Sequence, residues 1–213
     1  MIKIRDDSNS EIRIVTIGRL VDFKTCTILA MISAIEKLNS DEGLNITYDI
    51  YGNGPSEKAV ADRIKISPVS DKLKLHPFVP KEQYLQTVIQ YDLFFGMAGA
   101  LILAASAGVP SLIAVQEEER EISYGFISDY DQEKNPIFGD RSRFGNEKKI
   151  SESIRYYHQL NFEEKEALSK KCSLSTVSYS TESTKLRLIQ KIDNAPRINN
   201  FNVRGIGFLK NIF

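Results

Sequence analysis

The chain has 213 residues, enough for a substantial core in a single domain. Lys plus Arg and Asp plus Glu are both 28, so there is no basic excess of the kind that marks a nucleic-acid footprint. The hydrophobic fraction of 42% is that of an ordinary soluble globular chain, and its longest apolar candidate, Leu101 to Val115, is broken by Ser106, Gly108, Pro110 and Ser111 before it could span a bilayer.

The N-terminus is polar within a few residues, which argues against a secretory signal. Cys26 and Cys172 are far apart and lack metal-ligand spacing, so a reducing compartment is expected, with both thiols on helices. In chain order, Glu11–Ile17 is β-branched and stops at Gly18, which predicts a strand. Thr25–Leu38 places Ile28, Leu29, Ile32, Ile35 and Leu38 at helical spacing. Asn45–Tyr51 predicts a second strand, Ser56–Ile66 a helix, Lys72–Leu75 a short strand, Lys81–Gln90 a helix and Tyr91–Phe95 a strand. Gly99–Ala107 is small and apolar enough for a buried helix, and Ser111–Val115 follows Pro110 as a buried strand. Residues 116–146 are polar and loop-like, with one short strand at Tyr124–Ile127. Helices are expected at Glu147–Leu160, Phe162–Val177 and Thr181–Ile192, the second capped by Asn161 with Glu164 three residues on.

Strands alternating with helices predict an α/β, Rossmann-like parallel sheet with helices on both faces and strands apolar on both sides. The expected division is a Rossmann-like domain over 1–193 and a tail over 194–213.

Ligands of open α/β sheets bind beyond the carboxyl ends of the strands. Three stretches fall there: Gly18, Arg19 and Lys24; then Gly52, Asn53, Gly54 and Pro55; then Gly96, Met97, Ala98, Gly99 and Ala100. The last two lead into helices, whose first turns carry unpaired amides and partial positive charge. Glycine and alanine let an anion approach the backbone, Arg19 adds a forked donor and Lys24 a mobile point charge. Together they suit a diphosphate. Each has a plainer reading: GNGP as a turn, the small-residue run as a tightly packed helix, the cations as surface charges.

The order GRL…K, YGNGP, then YDLFF…AGVPSLIA resembles the donor-binding, C-terminal half of glycosyltransferases of family 4 (group 1), which have the GT-B fold. The similarity runs from about Ile12 to Val115 and more weakly to about Ile192. It implies a retaining glycosyltransferase that moves a sugar from a nucleotide-diphosphate sugar to a glycan or lipid-linked acceptor, in bacterial capsule, O-antigen or exopolysaccharide synthesis. It also implies that Arg19 and Lys24 stabilise the leaving diphosphate, with Gly18, Gly52, Asn53, Gly54 and Gly96 to Ala100 around the donor, and that no metal or other cofactor is needed.

The family's two glutamates, which contact donor sugar and ribose, correspond here to Phe95 and Leu103. Neither side chain can accept a hydrogen bond, and losing such a contact costs roughly 1.5–3 kcal/mol. Alternatives are therefore a non-catalytic nucleotide-binding or regulatory module of the same fold and a sugar-nucleotide epimerase-like domain. A complete GT-B enzyme has two such domains with the site between them. The chain is expected to be an inactive fragment or half-enzyme lacking the N-terminal acceptor domain, with Ile2–Arg5 resembling the interdomain crossing. The expected location is cytoplasmic, peripheral to the inner face of the membrane in the full-length enzyme, with no nucleic-acid partner.

His76 and His158 are isolated and read as structural. Glu117–Glu119 reads as a solvated run, with replacement of a missing hydroxyl ligand as its sharper alternative. Phe201, Phe208, Phe213, Arg204 and Lys210 pattern the tail, which is expected to be disordered or locally packed, with contact to membrane or a partner domain as the alternative.

Overall fold

A computed structural model describes residues 11–130, 136–141, 147–185 and 189. The chain divides into two compact units, Met1–Ser178 and Tyr179–Phe213. Of the second, residues 181–185 are helical and begin at a cap in which the Ser180 hydroxyl accepts the Ser183 N–H at 3.1 Å. The rest of the expected Thr181–Ile192 helix, Ile189 apart, and the tail aromatics and cations lie outside the described residues.

The first unit is built on a seven-stranded sheet: β1 (Glu11–Ile17), β2 (Asn45–Tyr51), β3 (Leu73–His76), β4 (Leu93–Gly96), β5 (Ser111–Ala114), β6 (Ile122–Phe126) and β7 (Lys148–Lys149). Their spatial order is β3-β2-β1-β4-β5-β6-β7. The first five run parallel, β6 pairs antiparallel with β5 and β7 antiparallel with β6, so the sheet is mixed where an all-parallel one was expected. The cause is connection length. The few residues between β5 and β6 have no room for the crossover helix that a parallel strand requires.

Helices α1 (Asp22–Ser40), α2 (Glu57–Lys65), α3 (Tyr84–Val88), α4 (Ala98–Ser106), α5 (Ile150–Gln159) and α6 (Phe162–Leu174) cover both faces. α1 buries Ile28, Met31, Ile32, Ile35 and Leu38, each at 2% exposure or less, against the sheet. Each such side chain contributes roughly 1.5–3 kcal/mol. At its far end Asn39 exchanges two hydrogen bonds with the backbone of Ile46, 2.8 and 2.9 Å, which fixes where β2 begins. α4 stops at Gly108, in the left-handed region at φ 85°, with Val109 N–H returning to Ala104 C=O at 3.1 Å and Pro110 next. α6 has the expected capping box, Asn161 and Glu164 each accepting the other's backbone N–H at 3.0 and 2.9 Å.

Several expected elements differ in their bounds. α1 begins at Asp22, one turn before the apolar periodicity, which places Lys24 inside the helix. Lys81–Gln90 is a 3-10 turn followed by only five α residues. The helix expected from Glu147 starts at Ile150, after the two residues of β7. The strands also differ in burial. β5 is buried throughout, but β2 alternates strictly, its Thr47, Asp49 and Tyr51 half-buried on one face. On that face Tyr91 donates to Asp49 at 2.5 Å, Tyr51 and Tyr91 hydroxyls meet at 3.0 Å, and His76 stacks on Tyr51 at 4.3 Å with its Nε2 3.2 Å from Asp49. His76 thus stacks beside Asp49, but its buried Nε2 makes no hydrogen bond, so it is not the satisfied structural histidine its sequence setting suggested.

Candidate functional site

The strand order reverses direction between β1 and β4: β2 and β3 follow on one side, β5 on the other. Helices leaving the two central strands diverge to opposite faces and open a crevice at their carboxyl ends, where α/β sheets bind ligands. A small open crevice lies there. From β1 and the loop after it come Thr16, Ile17, Gly18, Arg19 and Leu20. α1 contributes Lys24, Thr27 and Ile28, and β4 with the start of α4 contributes Phe95, Gly96, Met97 and Ala100.

Arg19 and Lys24 thus share one crevice. Arg19 is exposed and Lys24 half-buried. Neither forms an ion pair with a described residue, although nine other pairs are present among them. Lys24 stands against two local preferences. It occupies the first turn of α1, where the helix dipole disfavours a cation. It is partly removed from water, and burial pushes its ammonium below the ordinary lysine value. Its nearest charge-stabilising neighbour is the Phe23 ring, 5.7 Å away. A partly buried cation with no ion-pair partner among the described residues thus stands beside an open crevice.

The opposite wall is the start of α4. Ala98 is in the left-handed region at φ 55°, unusual for alanine, and its N–H is already bonded to Ile137 C=O at 2.6 Å. No described backbone group accepts from Gly99 or Ala100, and a side chain at Gly99 would meet open space. Two helix-start amides therefore remain for a ligand, rather than the whole run.

Of the residues expected around a donor, Gly18, Arg19, Lys24, Gly96, Met97 and Ala100 line the crevice. Ala98 and Gly99 adjoin it, and Gly52, Asn53 and Gly54 do not line it. The floor is tied by Thr16, which sequence reasoning passed over. Its hydroxyl donates to Phe95 C=O at 2.7 Å and meets the Tyr48 hydroxyl at 2.7 Å, linking β1, β2 and β4 beneath the opening. A threonine one residue before the end of a β-branched strand was its only signal. Among the described residues no carboxylate or histidine lines the crevice. Phe95 is 1% exposed and Leu103 is 42% exposed on α4, away from the crevice lining.

Glu118 is committed elsewhere. It is 4% exposed and accepts from the Arg120 side chain at 2.8 Å through both oxygens, with Arg141 at 3.7 Å. These guanidinium contacts, Arg120 first, hold its carboxyl down at about 2. A depressed folded value contributes stability that is complete above the ordinary 4.5 and is lost as pH falls toward 2. Both arginines are largely exposed, so the contribution is modest. Glu118→Gln is expected to cost about 1 kcal/mol at pH 6, and urea unfolding should show the gap to wild type closing between pH 4.5 and 2.

Among the described residues no group of three or more His, Cys, Asp or Glu is placed to hold a metal, and no helix is long and apolar enough to cross a membrane. Asp129 and Asp131 form an Asp-x-Asp pair missed in the sequence. Asp129 is engaged by Lys148 at 2.7 Å and by Phe126 N–H at 3.1 Å, and Asp131 lies outside the described residues.

No protein-family model and no curated protein sequence matches the chain. Solved structures do. S. aureus TarM, in a mutant form in complex with Fondaparinux, alpha-GlcNAc-glycerol and UDP, matches 91% of this chain at 17% identity with a TM-score of 0.61. The GtfA/B complex matches 90% at 18% identity and 0.61. The N-terminal domain of Candida albicans trehalose-6-phosphate phosphatase matches 86% at 15% identity and 0.56. The chain spans 37%, 37% and 42% of those three chains. At these identities the likeness is one of fold: an α/β, Rossmann-like unit like that in GT-B glycosyltransferases.

Proposed function

We propose that the chain is the donor-binding part of a retaining, family 4-like glycosyltransferase that uses a nucleotide-diphosphate sugar in bacterial surface polysaccharide synthesis. The observation that carries this is the convergence of two unpaired cations, Arg19 and Lys24, on a crevice at the point where the strand order reverses. The fold likeness to TarM solved with UDP supports it. So does the match to little more than a third of that chain, which fits a site completed by a second, acceptor-binding domain.

In this reading the diphosphate lies across the crevice mouth. Arg19 offers a planar fork of donors and Lys24 a point charge from the first turn of α1. The Gly99 and Ala100 amides face them from α4. As the bond from sugar carbon to phosphate oxygen lengthens, negative charge grows on the leaving diphosphate. Donors already fixed there stabilise that state more than the ground state.

A second reading, a nucleotide-binding module without turnover, is favoured by the apolar wall. Phe95 and Met97 line the crevice and offer no side-chain acceptor to a sugar or ribose hydroxyl.

Calorimetric titration of wild type tests the proposal. UDP or GDP is expected to bind at least tenfold more tightly than uridine or guanosine, and equal affinity would remove it. UDP-sugars binding at least as tightly as UDP favour the transferase, and UDP-sugars binding tenfold more weakly favour the silent module.

A further inference from the structure

The YGNGP turn follows β2 and was expected to touch the ligand, yet the crevice leaves it out. What it touches is the loop carrying Arg19. A Cβ on Gly52 would lie 2.0 Å from the Gly18 carbonyl oxygen, and one on Gly54 would lie 2.2 Å from that of Leu20. The two contacted residues flank Arg19 on either side. Both obstacles are backbone, which cannot swing aside as the end of a side chain can.

Hydrogen bonds extend the β1–β2 ladder through the same residues. Gly18 N–H donates to Tyr51 C=O at 2.9 Å, Leu20 N–H to Asn53 C=O at 2.9 Å, and Ser56 N–H to Leu20 C=O at 3.3 Å. Gly52 N–H anchors the turn to His76 C=O on β3 at 3.2 Å. The Ser56 hydroxyl donates to Asp22 at 2.8 Å, which ties the turn to the first residue of α1, two before Lys24. Leu20, 1% exposed, pins the loop from beneath.

We infer that Gly52 and Gly54 are positioning residues: their missing side chains let the turn mould the Gly18–Leu20 backbone, which aims Arg19 into the crevice. This rests on the diphosphate reading of the site. Cations at binding sites lose much of their effect when displaced by about 1 Å, and a methyl group at either glycine forces a shift of that size.

A double-mutant cycle read by UDP titration tests it. Gly52→Ala and Gly54→Ala are each expected to weaken UDP binding at least fivefold when Arg19 is present, and less than twofold in the Arg19→Ala background. A general loss of structure would weaken both backgrounds alike, and equal effects in the two would overturn the inference, as would wild-type affinity in both glycine variants. Asn53→Ala keeps the turn's backbone and removes an exposed side chain outside the crevice, so it serves even where the glycine variants fold poorly. It is expected to change affinity less than twofold, and a tenfold loss would show that the turn grips ligand directly and overturn the positioning role. If Arg19→Ala alone binds UDP as wild type does, the diphosphate reading itself fails, a result separable from the others.

Discussion

Replacing Arg19 and Lys24 together by alanine is expected to lower UDP affinity by roughly two to four orders of magnitude, since each charge-assisted contact contributes about 1.5–3 kcal/mol. Each single variant should lose about one to two orders, and the two losses need not add, because both groups contact one ligand. The two residues should separate sharply in stability. Arg19 is exposed, so removing it leaves unfolding unchanged within about 0.5 kcal/mol. Lys24 is half-buried and its ammonium is destabilised by that burial. The folded chain therefore holds this proton less tightly than the unfolded chain. The resulting destabilisation is present below the lowered folded value and is relieved as pH rises through it. Lys24→Met keeps the aliphatic stem and removes the charge. It is expected to raise the thermal midpoint of the ligand-free chain at pH 7 by roughly 1–3 °C while weakening UDP binding. Opposite signs from one substitution mark a cation kept for a ligand. A midpoint that falls on Lys24→Met would assign the ammonium a structural role.

The parts of the fold legible in the sequence are those where local pattern and tertiary burial agree. β1 and β2 match their expected bounds because β-branched runs end at Gly18 and Gly52, and α4 ends where Ala107–Pro110 supplies a left-handed glycine and then a proline. The start of α1 was illegible because Asp22, Phe23 and Lys24 carry no apolar periodicity, and Val21 caps the helix without a side-chain bond. The alternation of β2 was readable as Thr47, Asp49 and Tyr51, but their destination depended on His76 and Tyr91, far along the chain. That Arg19 and Lys24 lie at the carboxyl edge of β1 could be read from their spacing after the strand. Spacing could not separate glycines that face a ligand from glycines that face another loop, since both need a bare backbone. Only the distances at Gly52 and Gly54 do that.

The same distinction applies to Phe95 and Leu103, which should respond very differently to a glutamate introduced at each. Phe95→Glu is expected to destabilise the chain by at least about 3–5 kcal/mol and to lower the thermal midpoint by roughly 10 °C or more. Phe95 lines the crevice but is 1% exposed. It pairs with Leu112 on β5, and its carbonyl receives the Thr16 hydroxyl. The substitution removes a buried ring and introduces a carboxylate into an apolar wall. Lys24 across the crevice offsets only part of the desolvation. Leu103→Glu, at 42% exposure on α4, is expected to stay within about 0.5–1 kcal/mol of wild type, since leucine and glutamate have similar helix propensity and the site is already wet. Position 95 thus belongs to the core, and a carboxylate there cannot be accommodated without repacking β4 against its neighbours. Chemical unfolding of both variants decides the matter. A Phe95→Glu chain with a wild-type midpoint would mean that this wall tolerates charge, and would weaken the case for a site that grips diphosphate without reading the sugar.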